Sequence, residues 1–476
     1  MSLLAQGIEL PFTYGFFQSR SPQQAVMQCV NYRPNINQLG SLSQESLYQT
    51  EGVSEIIASV DNVTCRGIHR MNSIAYIVLG VKLYRINQTI NANLTKTYDL
   101  DELGDVDGSG RVIMASIWSG TGYEMAIVSP GQFAYSYTEA GGVVNDLSGL
   151  SNFLGPVDDV VSLNGFMVFL QTGTNTIFHS NLNDVSTYNA LDFELVTRSP
   201  KLVGLVGFRG QLYVMGENEI LPYSFIGGAN FVFQYQPNST IPSGLNNVHS
   251  KVTVRQSIAY LGGGENESLA VWLTSGGYPT KISTEAIEYL IRQELAVNNS
   301  FLLAFSINGA EYIALRVGDY CFVYDILTGR WHQRRSKAGD LDIAWRVNHI
   351  TNVYGELIVG DSLSAAIGKL DNSNTEFGTN IHRQFVLQPF DNKGKHVPLK
   401  SVVLAMDVGF DGSMVFDWSD DGHTWSNGMQ LEAGGIGDYG RHMRWDRLGT
   451  ASYARSLRFS TSSPVQCNVN KVLALS

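Results

Sequence analysis

Residues 300–334 read "SFLLAFSINGAEYIALRVGDYCFVYDILTGRWHQR", and the alternation of short β-rich runs with turn signals in this stretch decides the fold. Asn308-Gly309, Gly318-Asp319 and Thr328-Gly329 are pairs that reverse a chain, because Gly takes positive φ without a Cβ clash and Asn and Asp tolerate it. The runs they separate, 301–306, 311–316, 320–325 and 330–333, form four antiparallel strands in one meander. That unit is one blade of a β-propeller. Trp331, just after the last turn, is expected to pack between blades rather than to stack on a ligand.

Looser copies of a strand–turn–strand unit are centred near Tyr76, Tyr123, Phe166, Tyr213, Tyr260, Tyr312 and Tyr354. Their spacing of about 42 to 52 residues matches propeller blades. Seven centres predict six or seven blades, since one hairpin can belong to a closure. Radial repetition also protects strand edges, which a chain this rich in strands must cover. The spacing predicts one helix in "STEAIEYLIRQEL", with Ser283 as its cap and Ile287, Leu290, Ile291 and Leu295 on one face.

After about residue 380 the repeat fades. Longer alternating strands in "SVVLAMDVGFDGSMVFDWSDDGHTWSNG" and "ARSLRFSTSSP" predict a separate, smaller β-sandwich. The expected division is therefore a propeller with an N-terminal extended segment over 1–380 and a sandwich over 381–476, in an all-β chain. Within the second unit, "SDDGHTW" resembles the Asp-box hairpin of sialidases. The expected sense is structural, with Asp421 and Gly422 making a tight turn and Trp425 folding back onto the preceding strand.

The composition agrees. The 476 residues include 48 Gly, 22 Tyr and 22 Phe, and only 16% are charged, which suits many short strands and tight turns. The net charge of −11 is uneven: residues 381–476 carry 10 Lys+Arg and 9 Asp+Glu, against 22 and 34 in residues 1–380. No basic stripe marks a nucleic-acid binder, whose affinity comes from neutralising phosphates. An acidic surface is compatible with a conduit along which DNA slides without adhering. Cys29, Cys65, Cys321 and Cys467 are scattered and read as reduced, mostly buried thiols. The start of the chain has neither a basic region nor a long apolar run, so synthesis in a cytoplasm is expected.

Signatures of chemistry are missing from the sequence. The nine histidines form no metal motif, and His332 and His423 read as rim residues beside turns. "GDVDGSGR" (104–111) fails as a calcium loop, because aligning Gly108 with the loop's glycine puts Leu103 and Met114 at ligand positions. It reads as a surface turn before a strand. Asp158-Asp159 and Asp420-Asp421 are adjacent, and neighbours on a strand point to opposite faces, so neither makes an acid/base pair. No residue is nominated as catalytic, cofactor-binding or metal-binding, and no cofactor is expected.

An ordered string of fragments says more than any motif. "RGIHRMNSIAYIVLGVKLYRI" (66–86), "GDVDGSGRVIMA" (104–115), "RGQLYVMGENEILPYSF" (209–225), "STEAIEYLIR" (283–292), "FVYDILTGRWHQ" (322–333) and "RWDRLGTASYARSLRFSTSSPVQCNV" (444–469) together resemble the packaged-DNA stabilisation, or tail-hub, proteins of short-tailed bacteriophages. The similarity rests on positions such as Arg66-Gly67, Gly80, Gly104-Asp105, Gly108 to Arg111, Ile287-Glu288, Tyr324-Asp325, Trp331, Trp445 and Arg447; it is poor over 120–160 and 226–250. The resemblance implies a structural virion protein and no enzyme. It implies a homo-hexameric ring below the portal and its adaptor protein that closes the filled head, retains packaged DNA until ejection, and anchors tail needle and tailspikes. DNA passes through without sequence-specific binding, and no membrane is involved. The alternative is a glycan-binding or glycan-hydrolysing propeller protein of the phage tail.

Overall fold

The meander at 300–334 folds as its turns dictate. In the computed structural model its strands are Phe301–Ile307, Ala310–Val317, Tyr320–Asp325 and Arg330–Gln333, paired in order and antiparallel. The structure describes residues 8–12, 14–18, 26–37, 41, 43–59, 63–391 and 395–475. The expectation drawn from the first residues of the chain rests largely on positions outside these.

Six such four-stranded sheets follow one another along the chain, beginning at Cys65, Ile113, Val157, Leu202, Lys251 and Phe301; we number them blades 1 to 6. A seventh contains Val347–Val353, Glu356–Asp361 and Ile367–Asp371, and its outer strand is Gly52–Ile57 from near the start of the chain. Ile367 lies opposite Ile57 and Asp371 opposite Gly52, antiparallel. Closing the last blade with an early strand ties the two ends of the propeller together, so no open edge remains between blades 7 and 1.

Six of the seven aromatic centres lie on the second strand of a blade, and Tyr354 sits in the turn just before that strand in blade 7. These second strands, such as Phe166–Gln171 and Ala310–Val317, are buried almost throughout. Each is covered on both faces by neighbouring blades, which explains apolar runs in place of strict alternation. Seven separate apolar clusters fill the seven gaps between blades; one of them joins Ala75, Ile77 and Leu79 of blade 1 to Val353, Ile358 and Ile367 of blade 7. Trp331 packs between blades 5 and 6, as its position predicts, and its indole N–H donates to Ile282 O at 2.7 Å.

The predicted helix spans Glu285–Gln293 and packs Ala286, Ile287 and Ile291 into the gap between blades 5 and 6. Its cap is Thr284 and not Ser283: Thr284 Oγ1 accepts from Ile287 N, whereas Ser283 Oγ donates to Glu288 Oε1 at 2.9 Å. The helix stops at Gln293, which leaves Leu295 off the expected face and 99% exposed.

The sandwich has two sheets around one core that includes Tyr32, Phe385, Phe416, Trp445 and Phe459. One sheet runs Tyr32–Ile36, Glu45–Gln49, Val469–Leu475, Ser401–Met406, Met443–Asp446, with Ile8–Glu9 on the strand Val469–Leu475. The other contains Val26–Val30, Arg383–Val386, Ala454–Thr461, Ser413–Ser419 and Met429–Glu432. The N-terminal segment crosses over and supplies strands to both sheets of the sandwich before entering blade 7, a pairing between residues more than 300 apart that leaves no local signal.

Candidate functional site: the propeller axis and the interdomain joint

Two places concentrate polar side chains in the interior, and both depend on the fold's long-range closures. The first is the axis. The inner strands of the seven blades surround a cavity of about 460 Å³ lined by His69, Arg111, Asp159, Lys251, His249 and His349 among apolar neighbours. Asp159 is fully buried and accepts from Lys251 Nζ at 2.6 Å, from Leu205 N at 2.6 Å and from Val160 N at 2.9 Å. Burial raises its pKa, against which the Lys251 cation works. The Arg111 guanidinium stacks on Phe301 at 3.8 Å, donates to Asn348 O at 2.7 Å, and reaches His349 Nδ1 at 3.3 Å. Burial pushes Arg111 down to about 9 and, with the Arg111 charge, holds His249 and His349 well below the ordinary histidine range.

Just behind this wall, the glycine loop 104–111 wraps Arg66. Its guanidinium donates to Gly110 O at 2.7 Å, to Gly80 O and Val106 O at 2.9 Å, and to Ser129 Oγ at 2.8 Å. Gly108 has φ of 102°, and a Cβ there would lie 3.2 Å from the guanidinium. The loop is thus more than a surface turn: its backbone carbonyls solvate a buried arginine. Arg66, Gly80, Gly108 and Gly110, scattered in the sequence, meet in this one cage between blades 1 and 2.

The second place is the joint between propeller and sandwich. Asn31, 2% exposed and in the left-handed region at φ 55°, donates from Nδ2 to Arg335 O at 2.9 Å and to His382 O at 2.7 Å; its Oδ1 accepts from Arg335 N at 3.0 Å. Its backbone N–H donates to Gln333 O, the end of blade 6. Arg33 donates to Tyr312 OH at 3.0 Å and lies 3.6 Å from Glu51. Arg334 stacks over Trp345 at 4.2 Å and donates to Glu51 O. Buried networks of this kind fix one relative placement because each unmade bond leaves a polar group stranded.

The residues singled out in the sequence fall mostly into structural roles. Asp421 accepts from His423 N, Thr424 N, Thr424 Oγ1 and Ser419 Oγ at 2.5–3.0 Å, which holds its carboxyl far below the usual carboxylate range. Gly422 has φ 75°, so the local turn is as expected, but the ladder between Ser413–Ser419 and Met429–Glu432 ends at Phe416 and Met429, so the connection is longer than a tight hairpin. Trp425 is covered by Arg458 at 4.1 Å, and Arg458 in turn pairs with Asp417 on the preceding strand. Asp420 pairs instead with Arg455, and Asp158 accepts from Thr172 while Asp159 holds Lys251; neighbouring carboxylates do face different partners. His423 is exposed in its turn. His332 is not at the rim: it is buried edge-on against Tyr312 in the joint, with burial and Arg334 holding it well below the ordinary range. The sequence misled there because the strand that carries it, Arg330–Gln333, is covered by the N-terminal segment: Val30 pairs with Gln333, and Phe16 N donates to Trp331 O at 2.8 Å. All four cysteines are buried and unpaired, with Cys65 and Cys321 pushed up to about 12 by burial. Among the described residues no group of acids, histidines and cysteines is placed to hold a metal, and no helix is long and apolar enough to cross a membrane.

The tail hub protein gp10 of Salmonella phage P22 is 24% identical over 327 residues, a match covering 65% of this chain and 65% of that protein's length. Solved structures that resemble the chain include the extracellular domain of a putative one-component system from B. thetaiotaomicron, at 12% identity and a TM-score of 0.43, covering 67% of this chain and 40% of that one. The WD40 propeller domain of Doa1 gives 10% identity and a TM-score of 0.41, covering 68% of this chain and 97% of that one. The models described as bacteriophage P22 Gp10 β-propeller and bacteriophage P22 Gp10 β-sandwich match residues 8–375 and 382–474, and the chain therefore belongs to the P22 Gp10 family through both of its domains.

Proposed function

We propose that this chain is a structural virion protein, the tail hub of a short-tailed phage. The observation that carries the reading is that both Gp10 family domains are present in order, together with the match to a protein named for that role. In this role it is not an enzyme. It closes the DNA-filled head below the portal and its adaptor, retains the packaged DNA, and anchors the tail needle and the tailspikes or receptor-binding proteins. Six copies form a closed ring, since a head-to-tail interface closes only when its rotation divides the circle. DNA passes the ring without sequence-specific contacts, and the protein is made in the host cytoplasm before it joins the particle.

The physical features support a scaffold. A propeller closed by an early strand, seven inter-blade cores and a joint built of buried hydrogen bonds make a body that transmits load without deforming. The net charge of −11 opposes self-association of free subunits, so ring formation is expected to await the adaptor surface. The domain division we propose lies near residue 380, with the N-terminal segment serving as a strap between the two units. Imaging intact particles tests the reading: density for this chain as a six-fold ring between adaptor and needle is the expected result, and its location outside the tail overturns it.

A further inference from the structure

We propose that the axial cavity of the propeller is a binding site for one small, multiply charged oxyanion of the phosphate type, held by Arg111 and His349. The argument starts from hydrogen-bond accounting. The guanidinium of Arg111 can only donate, so its contact with His349 Nδ1 at 3.3 Å makes that nitrogen the acceptor. The proton of the neutral imidazole then sits on Nε2. His349 is 7% exposed, it lines the cavity, and its Nε2 has no partner; Arg111 Nε, also buried, has none either. Two buried donors are left over on two side chains that line the same cavity.

Charge points the same way. The carboxylate lining the cavity is that of Asp159, and it is already held by Lys251 and two backbone N–H groups. Arg111 meets a carbonyl, an imidazole and an aromatic face, none of which offsets its charge. His249 faces the same space and feels the Arg111 and Lys251 charges. Arg111 is partly buried with its Nε fully covered; a cation so placed without a countercharge is costly, and an oxyanion supplies both the countercharge and acceptors for the stranded donors. A water molecule satisfies donors without compensating the charge. A metal ion is repelled by this set, and a nucleic-acid strand needs a continuous basic groove, which one cluster in a chain of net charge −11 does not make. The bound anion would tie the residue leading into blade 2 (Arg111) to blade 7 (His349), beside the blade that the N-terminal strand completes.

The test uses the full chain. Thermal midpoints are followed against inorganic phosphate, with sodium chloride at matched ionic strength, for the unaltered protein, Arg111→Met and His349→Asn. Asparagine keeps an acceptor near the Nδ1 position and removes the Nε2 donor; methionine keeps apolar contact with Phe301. The expected result is a saturable rise with phosphate beyond that with chloride, at least tenfold weaker in apparent affinity in both variants. Crystals soaked in tungstate provide a readout independent of variant stability, with an anomalous peak expected within hydrogen-bonding distance of Arg111 Nε and His349 Nε2. Equal responses to phosphate and chloride, undiminished saturation in both variants, or no peak in the cavity each overturns the proposal. So does saturation by a short single-stranded oligonucleotide that inorganic phosphate does not compete.

Discussion

Replacing Asn31 by alanine severs the joint between the two domains at its most connected side chain. Three hydrogen bonds are lost, to Arg335 O, His382 O and Arg335 N, in a site 2% exposed. Each buried group left unpaired costs about 1–3 kcal/mol, and alanine at φ 55° adds about 1 kcal/mol of backbone strain that asparagine tolerates better. The three bonds are only part-buried, which places each near the low end of that range, so with the strain the expected destabilisation is roughly 4 kcal/mol. Asn31→Gly makes the same polar cut without the strain and is expected to cost about 1 kcal/mol less. Because the lost bonds link the N-terminal strap, the end of blade 6 and the segment entering the sandwich, the loss falls on the coupling between domains. Scanning calorimetry is the assay: one merged transition is expected for the unaltered protein, and separate propeller and sandwich transitions for Asn31→Ala. A single transition with a cost below about 1 kcal/mol refutes the idea that this residue couples the domains.

Three further outcomes are expected. Gly422→Val forces a β-branched residue to φ 75° and destabilises the sandwich by roughly 1–3 kcal/mol, read as a lowered denaturation midpoint; an unchanged midpoint removes the hairpin reading. His332 and His349 are buried with pKa values depressed well below 6.5, so the unfolded chain binds their protons first. Their stabilising effect is complete above about pH 6.5 and is lost below it at roughly 1.4 kcal/mol per pH unit for each. Stability that is flat from pH 7.5 to pH 5, in phosphate-free buffer, contradicts this. Finally, no turnover of bacterial polysaccharide or sialosides is expected; hydrolysis abolished by replacing Asp421 revives the glycan-acting alternative.

Much of the propeller is legible because its signals are local. The turn pairs of blade 6 and the aromatic centres of the second strands lie within one blade, so spacing alone reveals them. Tyr32–Ile36 pairs locally with Glu45–Gln49, but the docking of that hairpin on Val469–Leu475, the strand Gly52–Ile57 and the joint around Asn31 depend on partners hundreds of residues away, and no periodicity reports such a pairing. The polar interior was equally hidden. Arg66 shares its strand with His69 and Arg70, so nothing in the sequence sets it apart as buried, and its ligands are carbonyls of the loop 106–110 and of Gly80, which side-chain patterns do not announce. His332 was misplaced for the same reason, since the segment covering it comes from the far end of the chain. The helix cap slipped by one residue because Ser283 and Thr284 are both competent caps, and the bond from Ile287 N decides between them.

As the proposed tail hub, this chain seals the filled head. The most direct measurement is the DNA content of particles assembled without it, compared with particles supplied with the chain in trans. The expected result is heads that package DNA and then lose it, with retention restored by the added chain. Particles that keep a full genome in its absence contradict it.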